Sequence, residues 1–162
     1  MDNTLKNLLN EQINMELYSA YLYHYMELKF NSLGLDGFAW WYKLQTKEEV
    51  SHAERIERFL LDNDECPHMK AILSFDDLSD DPKELMLLAL AHEKNVTKSI
   101  HAICLEALKQ KDLPIMNFMD WFVDEQVEEE RNAKDNLLCY DNFVNNRTGL
   151  MDCDKHMGLR VA

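Results

Sequence analysis

Turn-forming residues are scarce in this sequence, which holds four glycines and three prolines among 162 residues. A chain with so few places to reverse direction is built from long regular elements, and helices use glycine and proline least. No run of 18 or more apolar residues occurs, so no membrane-spanning helix and no membrane partner are expected. The N-terminus shows no basic region followed by an apolar run, so a signal peptide is not expected and a cytoplasmic location is. The four cysteines, Cys66, Cys104, Cys139 and Cys153, have no C-x-x-C spacing. They read as reduced thiols rather than a disulfide framework or a zinc site. Positive charge is also short: 17 Lys and Arg stand against 30 Asp and Glu, a net charge of -13. Nucleic-acid binding needs a basic footprint and is not expected. An acidic surplus attracts cations, although on charge alone solubility accounts for it.

What is present is ordinary for a soluble globular protein: 46% hydrophobic and 29% charged residues. The length suits one domain, residues 1–162. Breaks fall at 31–37, 65–82, 111–114 and 145–149, leaving four long segments at about 3–31, 36–64, 82–111 and 114–145. Each carries an apolar stripe stepping by three or four residues, as one face of an α-helix does. The stripes run Leu5, Leu9, Ile13, Glu16, Ala20, Tyr23; then Tyr42, Gln45, Glu49, His52, Ile56, Phe59. The third and fourth run Met86, Ala89, Glu93, Val96, Ile100 and Phe118, Phe122, Gln126, Glu129, Ala133, Leu137. Pro82 after Asp81 fits a capped helix start. A short fifth helix is expected over about 149–158.

The connections set the topology. Short links make helices one and two, and helices three and four, antiparallel neighbours. The link between helices two and three has about 17 residues and reaches about 55 Å when extended. A helix of about 28 residues is about 42 Å long. The link can therefore span the bundle and make helices two and three parallel, giving an all-α four-helix bundle with one long crossover.

One level of all four stripes is wrong for a core. Glu16, Glu49, His52, Glu93, Gln126 and Glu129 stand where Leu or Ile belongs. An ionised carboxylate in a dry interior costs several kcal/mol unless paired or metal-bound. Several at one level repel each other, and a multivalent cation removes that penalty. The spacing repeats: Glu16 to Glu49 and Glu93 to Gln126 are each 33 positions. A shift of 77 positions carries Glu16, Glu49 and His52 onto Glu93, Gln126 and Glu129, and Glu48 onto Glu125. A Glu from one helix and Glu-x-x-His from its neighbour is the ligand set of di-iron carboxylate bundles. Glu49 and His52, three apart, share a helix face. Carboxylates with one imidazole suit iron or manganese better than structural zinc. Taken singly these residues have blander readings. His52 alone would be a satisfied core histidine, Tyr23 a packing residue, and Glu125 to Glu130 a solvated charge run. The remaining histidines, His24, His68, His92, His101 and His156, read as structural or surface residues.

Four stretches together resemble the bacterial non-haem ferritins: N-E-Q-I-N-M-E-L-Y-S-A-Y-L-Y at 10–23, E-E-V-S-H at 48–52, H-E at 92–93 and N-F-M-D-W-F-V-D-E-Q-V-E-E-E at 117–130. The resemblance covers nearly the whole chain and is weakest after residue 145. It implies that Glu16, Glu49 and His52 hold a first iron, A. It further implies that Glu49 bridges to a second, B, ligated by Glu93 with Gln126 nearby. Glu129 would lie between B and a third position, C, built from Glu48, Glu125, Glu128 and Glu129. Tyr23 resembles the tyrosine beside the ferroxidase centre, an electron donor or a hydrogen-bonding neighbour of the ligands. Bacterioferritins have a second Glu-x-x-His, where this chain has Gln126-x-x-Glu129, and a haem-ligating Met where it has Val50. No haem is therefore expected. Paired C-x-x-C motifs of rubrerythrins are absent. The implied function is iron storage with ferroxidase activity: Fe(II) is oxidised by dioxygen or hydrogen peroxide and stored as ferric oxyhydroxide. The implied assembly is a 24-subunit homo-oligomeric shell. Two rivals stand beside it, a catalytic di-iron enzyme without storage and a purely structural bundle without metal.

Overall fold

Four of the five helices begin on a side-chain cap of their own, and the exception shows how the fold closes. The computed structural model describes residues 1–161. It contains α1 (Asn3–Ser32), α2 (Asp36–Asp62), α3 (Pro82–Gln110), α4 (Leu113–Phe143) and α5 (Arg147–Met157). Asp2 accepts from the Thr4 amide at 2.8 Å, Asp81 from Lys83 at 2.8 Å, Asp112 from Ile115 at 3.1 Å and Asn146 from Gly149 at 3.0 Å. Each satisfies one of the amide donors that a helix start leaves unpaired. Leu35, at the head of α2, has no such oxygen. Its place is taken from α5: Asp154 Oδ1 accepts from the Gly37 and Phe38 amides at 2.9 and 3.0 Å. Gly37 is required there, because a Cβ would sit 1.7 Å from the Asp154 carbonyl oxygen.

The boundaries depart from the sequence reading by one or two residues, with local causes. Helix α2 stops at Asp62, short of 64, where Asp64 takes a left-handed φ of 59°. Lys111, φ 58°, likewise ends α3 at Gln110. Helix α4 ends at Phe143 rather than 145, and Asn146 starts α5 two residues earlier than expected. Phe59 and Phe118, placed on the core stripes, lie at their edges and stack on one another at 3.9 Å, while Met119 is fully buried.

Residues 63–81 form the crossover. They contact α1 in sequence order: the His68 amide donates to Asn10, Tyr18 packs edge-on to Phe75, Tyr25 donates to Asp77, and Lys29 pairs with Asp80 at 2.6 Å. The segment thus runs the length of α1 and returns the chain to the end where α2 began, so α2 and α3 are parallel.

The apolar interior is divided in two. One cluster, including Met26, Phe30, Phe38, Tyr42 and Met86, lies at the end closed by α5. The other, including Leu5, Leu9, Ile56, Ile100 and Phe122, fills the opposite end. A fully buried side chain of this kind contributes about 1.5–3 kcal/mol, so both ends are strongly held. Between them lies a buried polar belt: Gln12, Glu16, Gln45, Glu49, His52, Glu93, Gln126 and Glu129. Among the described residues no helix is long and apolar enough to cross a membrane.

Candidate metal centre

All four long helices contribute to the belt. Helix α1 supplies Gln12, Glu16 and Tyr23; α2 supplies Gln45, Glu49 and His52; α3 supplies Glu93; α4 supplies Glu125, Gln126 and Glu129. Two groups bring three ligand atoms within 4.8 Å of one another: Glu16, Glu49 and His52, all buried, and His52, Glu125 and Glu129. His52 joins them. Its Nδ1 lies 3.4 Å from Glu49 Oε2 and its Nε2 3.7 Å from Glu125 Oε1. Trp121 packs edge-on against the imidazole at 5.4 Å and is itself covered by Arg55, whose Cζ lies 4.2 Å from the ring centroid.

Each of these carboxylates except Glu125 is oriented by an amide or a phenol. Gln12 Nε2 donates to Glu16 Oε1 at 2.8 Å. Gln45 Nε2 donates to both Glu49 Oε1 and Glu129 Oε2, at 3.0 and 2.9 Å. Gln126 Nε2 donates to Glu93 Oε2 at 3.1 Å, and the Tyr23 hydroxyl donates to Glu93 Oε1. Glu93 therefore faces the belt with both oxygens engaged. Glu16 Oε2 has no partner although fully buried. An unsatisfied buried carboxylate oxygen is costly, and next to Glu49 and His52 it is a candidate ligand atom.

The electrostatics point the same way. Burial, and secondarily the charge of Glu49, holds the Glu16 carboxyl well above the usual carboxylate range. Burial followed by Glu93 does the same for Glu49, and burial followed by Glu49 for Glu129. Glu93 is raised by burial against the opposing bonds from Tyr23 and Gln126, and Glu125 is raised by burial. The Tyr23 phenol is pushed up by burial and by Glu93. The site therefore favours bound protons or a bound cation. Its oxygen-rich donors with one imidazole, and the orphaned Glu16 oxygen, fit a hard or borderline divalent ion such as Fe(II) or Mn(II).

The third position is arranged differently from the resemblance. Glu125 and Glu129 come together with His52, whereas Glu128 is exposed and Glu48 turns to pair with Arg160. Gln12, Gln45 and Arg160 were not anticipated as neighbours of the site. A signal for the first two exists: each precedes a belt glutamate by four residues, and they are themselves 33 positions apart. The 77-residue shift carries them onto Ala89 and Phe122, so only the first hairpin has these amides. His92, read as structural, accepts or donates a 2.7 Å bond with Ser19 beside Tyr18 and Tyr23. Burial lowers its pKa to about 4.

Residues 6–138 match the ferritin-like domain of the ferritin family. A bacterial non-heme ferritin of Escherichia coli is 34% identical over 124 residues, 76% of this chain and 74% of its own. One from Bacteroides fragilis is 34% identical over 130 residues, covering 80% and 82%. Among solved structures, an open pore ferritin from the hyperthermophilic archaeon Archaeoglobus fulgidus superposes with a TM-score of 0.96. That protein is 35% identical, and the match covers 99% of both chains. With five helices in the ferritin arrangement and a family match over most of its length, the chain belongs to the ferritin family.

Proposed function

We propose that this protein stores iron and oxidises Fe(II) to Fe(III) at the belt, inside a shell of 24 copies that holds the product as ferric oxyhydroxide. The observation that carries the reading is the convergence of Glu16, Glu49 and His52 in a buried place where one carboxylate oxygen lacks any partner. Fe(II) is the substrate. Glu16 and His52 take the first ion, Glu49 stands between, and Glu93 with Gln126 takes the second. A neutral Gln126 in place of a second anionic or imidazole ligand makes that side weaker, which suits an ion that must leave. Two Fe(II) ions give up one electron each. The pair converts dioxygen with two protons to hydrogen peroxide, or hydrogen peroxide with two protons to two waters.

The chain's own groups prepare this step. The carboxyls release protons as the cations enter, because their raised pKa values fall beside a positive charge. Gln12 and Gln45 hold Glu16, Glu49 and Glu129 in one orientation. Tyr23 orients Glu93 and is the group that would supply an electron. A cavity of about 20 Å³, lined in part by Tyr23, Gln45, Glu93 and Glu129, has room for about one water beside the belt. Glu125 and Glu129 form the further cation position, with Glu48 and Glu128 at its rim and His52, whose one lone pair serves the first ion, beside it. Storage requires the shell, since one close-packed bundle has no space for a mineral. No haem enters this scheme.

An anaerobic Fe(II) titration tests the centre: about two to three tight sites per chain are expected, abolished by Glu49→Ala. Native mass after aerobic iron loading tests storage, with a hollow assembly of about 24 chains expected. No tight sites would overturn the metal reading. A dimer that consumes peroxide without forming mineral would overturn storage in favour of a non-storing di-iron enzyme.

A further inference from the structure

After α5 the chain turns back along α2, and its last turn reaches the belt. The Arg160 carbonyl accepts from Trp40 Nε1 at 2.9 Å, which fixes the backbone against the head of α2. The guanidinium lies over the Trp41 ring, Cζ 4.3 Å from the centroid, and is only 13% exposed. Its Nη1 donates to Gln45 Oε1 at 2.8 Å and to the Trp41 carbonyl at 3.3 Å, and its Nη2 donates to Glu48 Oε2. Gln45 in turn donates to Glu49 and Glu129. One cation from the C-terminal segment therefore contacts a carboxylate at the rim of the third position and, through one amide, two carboxylates of the belt.

We propose that Arg160 is a built-in counter-ion of the third cation position. It holds Glu48 away while that position is empty, and an incoming ion must displace it. Two independent observations support this. Glu48 is absent from the ligand group formed by its neighbours His52, Glu125 and Glu129, although its charge acts on both Glu125 and Glu129. A cavity of about 190 Å³ bordered by Glu48, Ser51, Arg160 and Val161 gives a hydrated cation space to arrive and the guanidinium space to swing aside. The guanidinium also fixes which way the Gln45 amide points. With its oxygen held by Arg160, its nitrogen must face Glu49 and Glu129. Arg160 is thus a positioning residue for the belt and a competitor at the third position. A free guanidinium released by the third ion loosens Gln45, so filling that position weakens the grip on Glu49 and Glu129. Iron at the third position is in this way coupled to release from the centre.

The inference rests on the proposed cation centre, and the test separates the two. Apo-protein is titrated with Tb(III), a redox-inert oxygen-seeking ion whose luminescence is excited through nearby tryptophan. Wild type is expected to show tight sites and one weaker site. In Arg160→Ala the weaker site tightens by about tenfold, as expected when a competing charge-assisted pair is removed. Arg160→Lys, which keeps a cation for Glu48 but loses the Trp41 stack and the fork to Gln45, falls between wild type and Arg160→Ala at that site. An unchanged or lost weak site in Arg160→Ala overturns the role of Arg160 while leaving the centre standing. Absence of bound Tb(III) in every variant overturns the centre itself, and with it this inference.

Discussion

At the scale of single residues, the belt is a place where buried carboxylates cost the fold stability. Glu16, Glu49, Glu93 and Glu129 are all buried and all have raised pKa values, chiefly through desolvation. An acid whose folded pKa lies above its unfolded value binds more protons when folded. Its stabilising contribution is complete below the unfolded value, near 4.5, and is lost as pH rises through the folded value. The metal-free protein should therefore lose stability from the belt as pH climbs from about 4.5 to neutrality. Glu49→Gln keeps the shape and an acceptor for Gln45 but removes one charge. In apo-protein melts it should be stabilised by about 1–3 kcal/mol at pH 7.5, with the advantage vanishing near pH 4.5. An apo-variant less stable than wild type at pH 7.5 would contradict the electrostatic account. Tyr23→Phe removes only the hydroxyl donated to Glu93. Stopped-flow oxidation should slow by about tenfold while the affinity of the Glu16 side changes by less than about twofold. Equal losses in both would place Tyr23 in binding instead.

At the scale of elements, α5 is the fold's clasp. It packs on α2 and α4, supplies the cap that α2 lacks and carries the chain end back to Gln45. Cys153 of α5 and Cys139 of α4 approach to 3.4 Å between sulfurs, and burial pushes the Cys153 thiol up to about 12, keeping it protonated. Asp154→Ala leaves two buried amides without an acceptor and should cost about 1–3 kcal/mol in thermal or denaturant unfolding. The damage should concentrate at one end. Hydrogen exchange should accelerate at Gly37, Phe38 and the residues of α5, while α1 near Leu5 and Leu9 stays protected. Uniform loss of protection would show that α5 is not a separable clasp. Because Arg160 follows α5, the same variant should also tighten the weak Tb(III) site.

At the scale of the whole molecule, the surface carries more apolar side chains than one bundle needs. Leu105, Leu108 and Leu113 are each more than half exposed where α3 turns into α4, and Leu138 and Phe143 are likewise exposed at the far end of α4. Singly exposed apolar residues are common, but a group at a helix turn is suited to burial against another copy. Leu108→Glu should shift the native mass from the proposed shell to small assemblies with helical circular dichroism unchanged. Iron should still bind in the fragments, but the mineral should be lost, because the proposed function puts oxidation in the bundle and storage in the enclosure. A shell that persists in this variant would mean that the α3–α4 turn lies outside the subunit contacts.

The helices, their antiparallel pairing and the long crossover follow from the sequence alone, because they depend on local period and on how far a link of given length can reach. The polar break in four apolar stripes is equally local, and with the 33-residue spacing it marks one level of the bundle. Which atoms of Glu16, Glu49, His52, Glu125 and Glu129 approach one another depends on helix rotation and side-chain bonds that no spacing encodes. Gln45 and Arg160 are 115 positions apart, and Asp154 and Gly37 are 117. Cys139 and Cys153 likewise meet only through the docking of α5 on α4. The sequence determined that a carboxylate-rich belt, the candidate cation site, lies in the middle of a helical bundle, since a stripe out of place is visible one helix at a time. Only the tertiary structure decided how that site is oriented and what occupies its rim, because contacts between distant residues exist only after the chain has closed on itself.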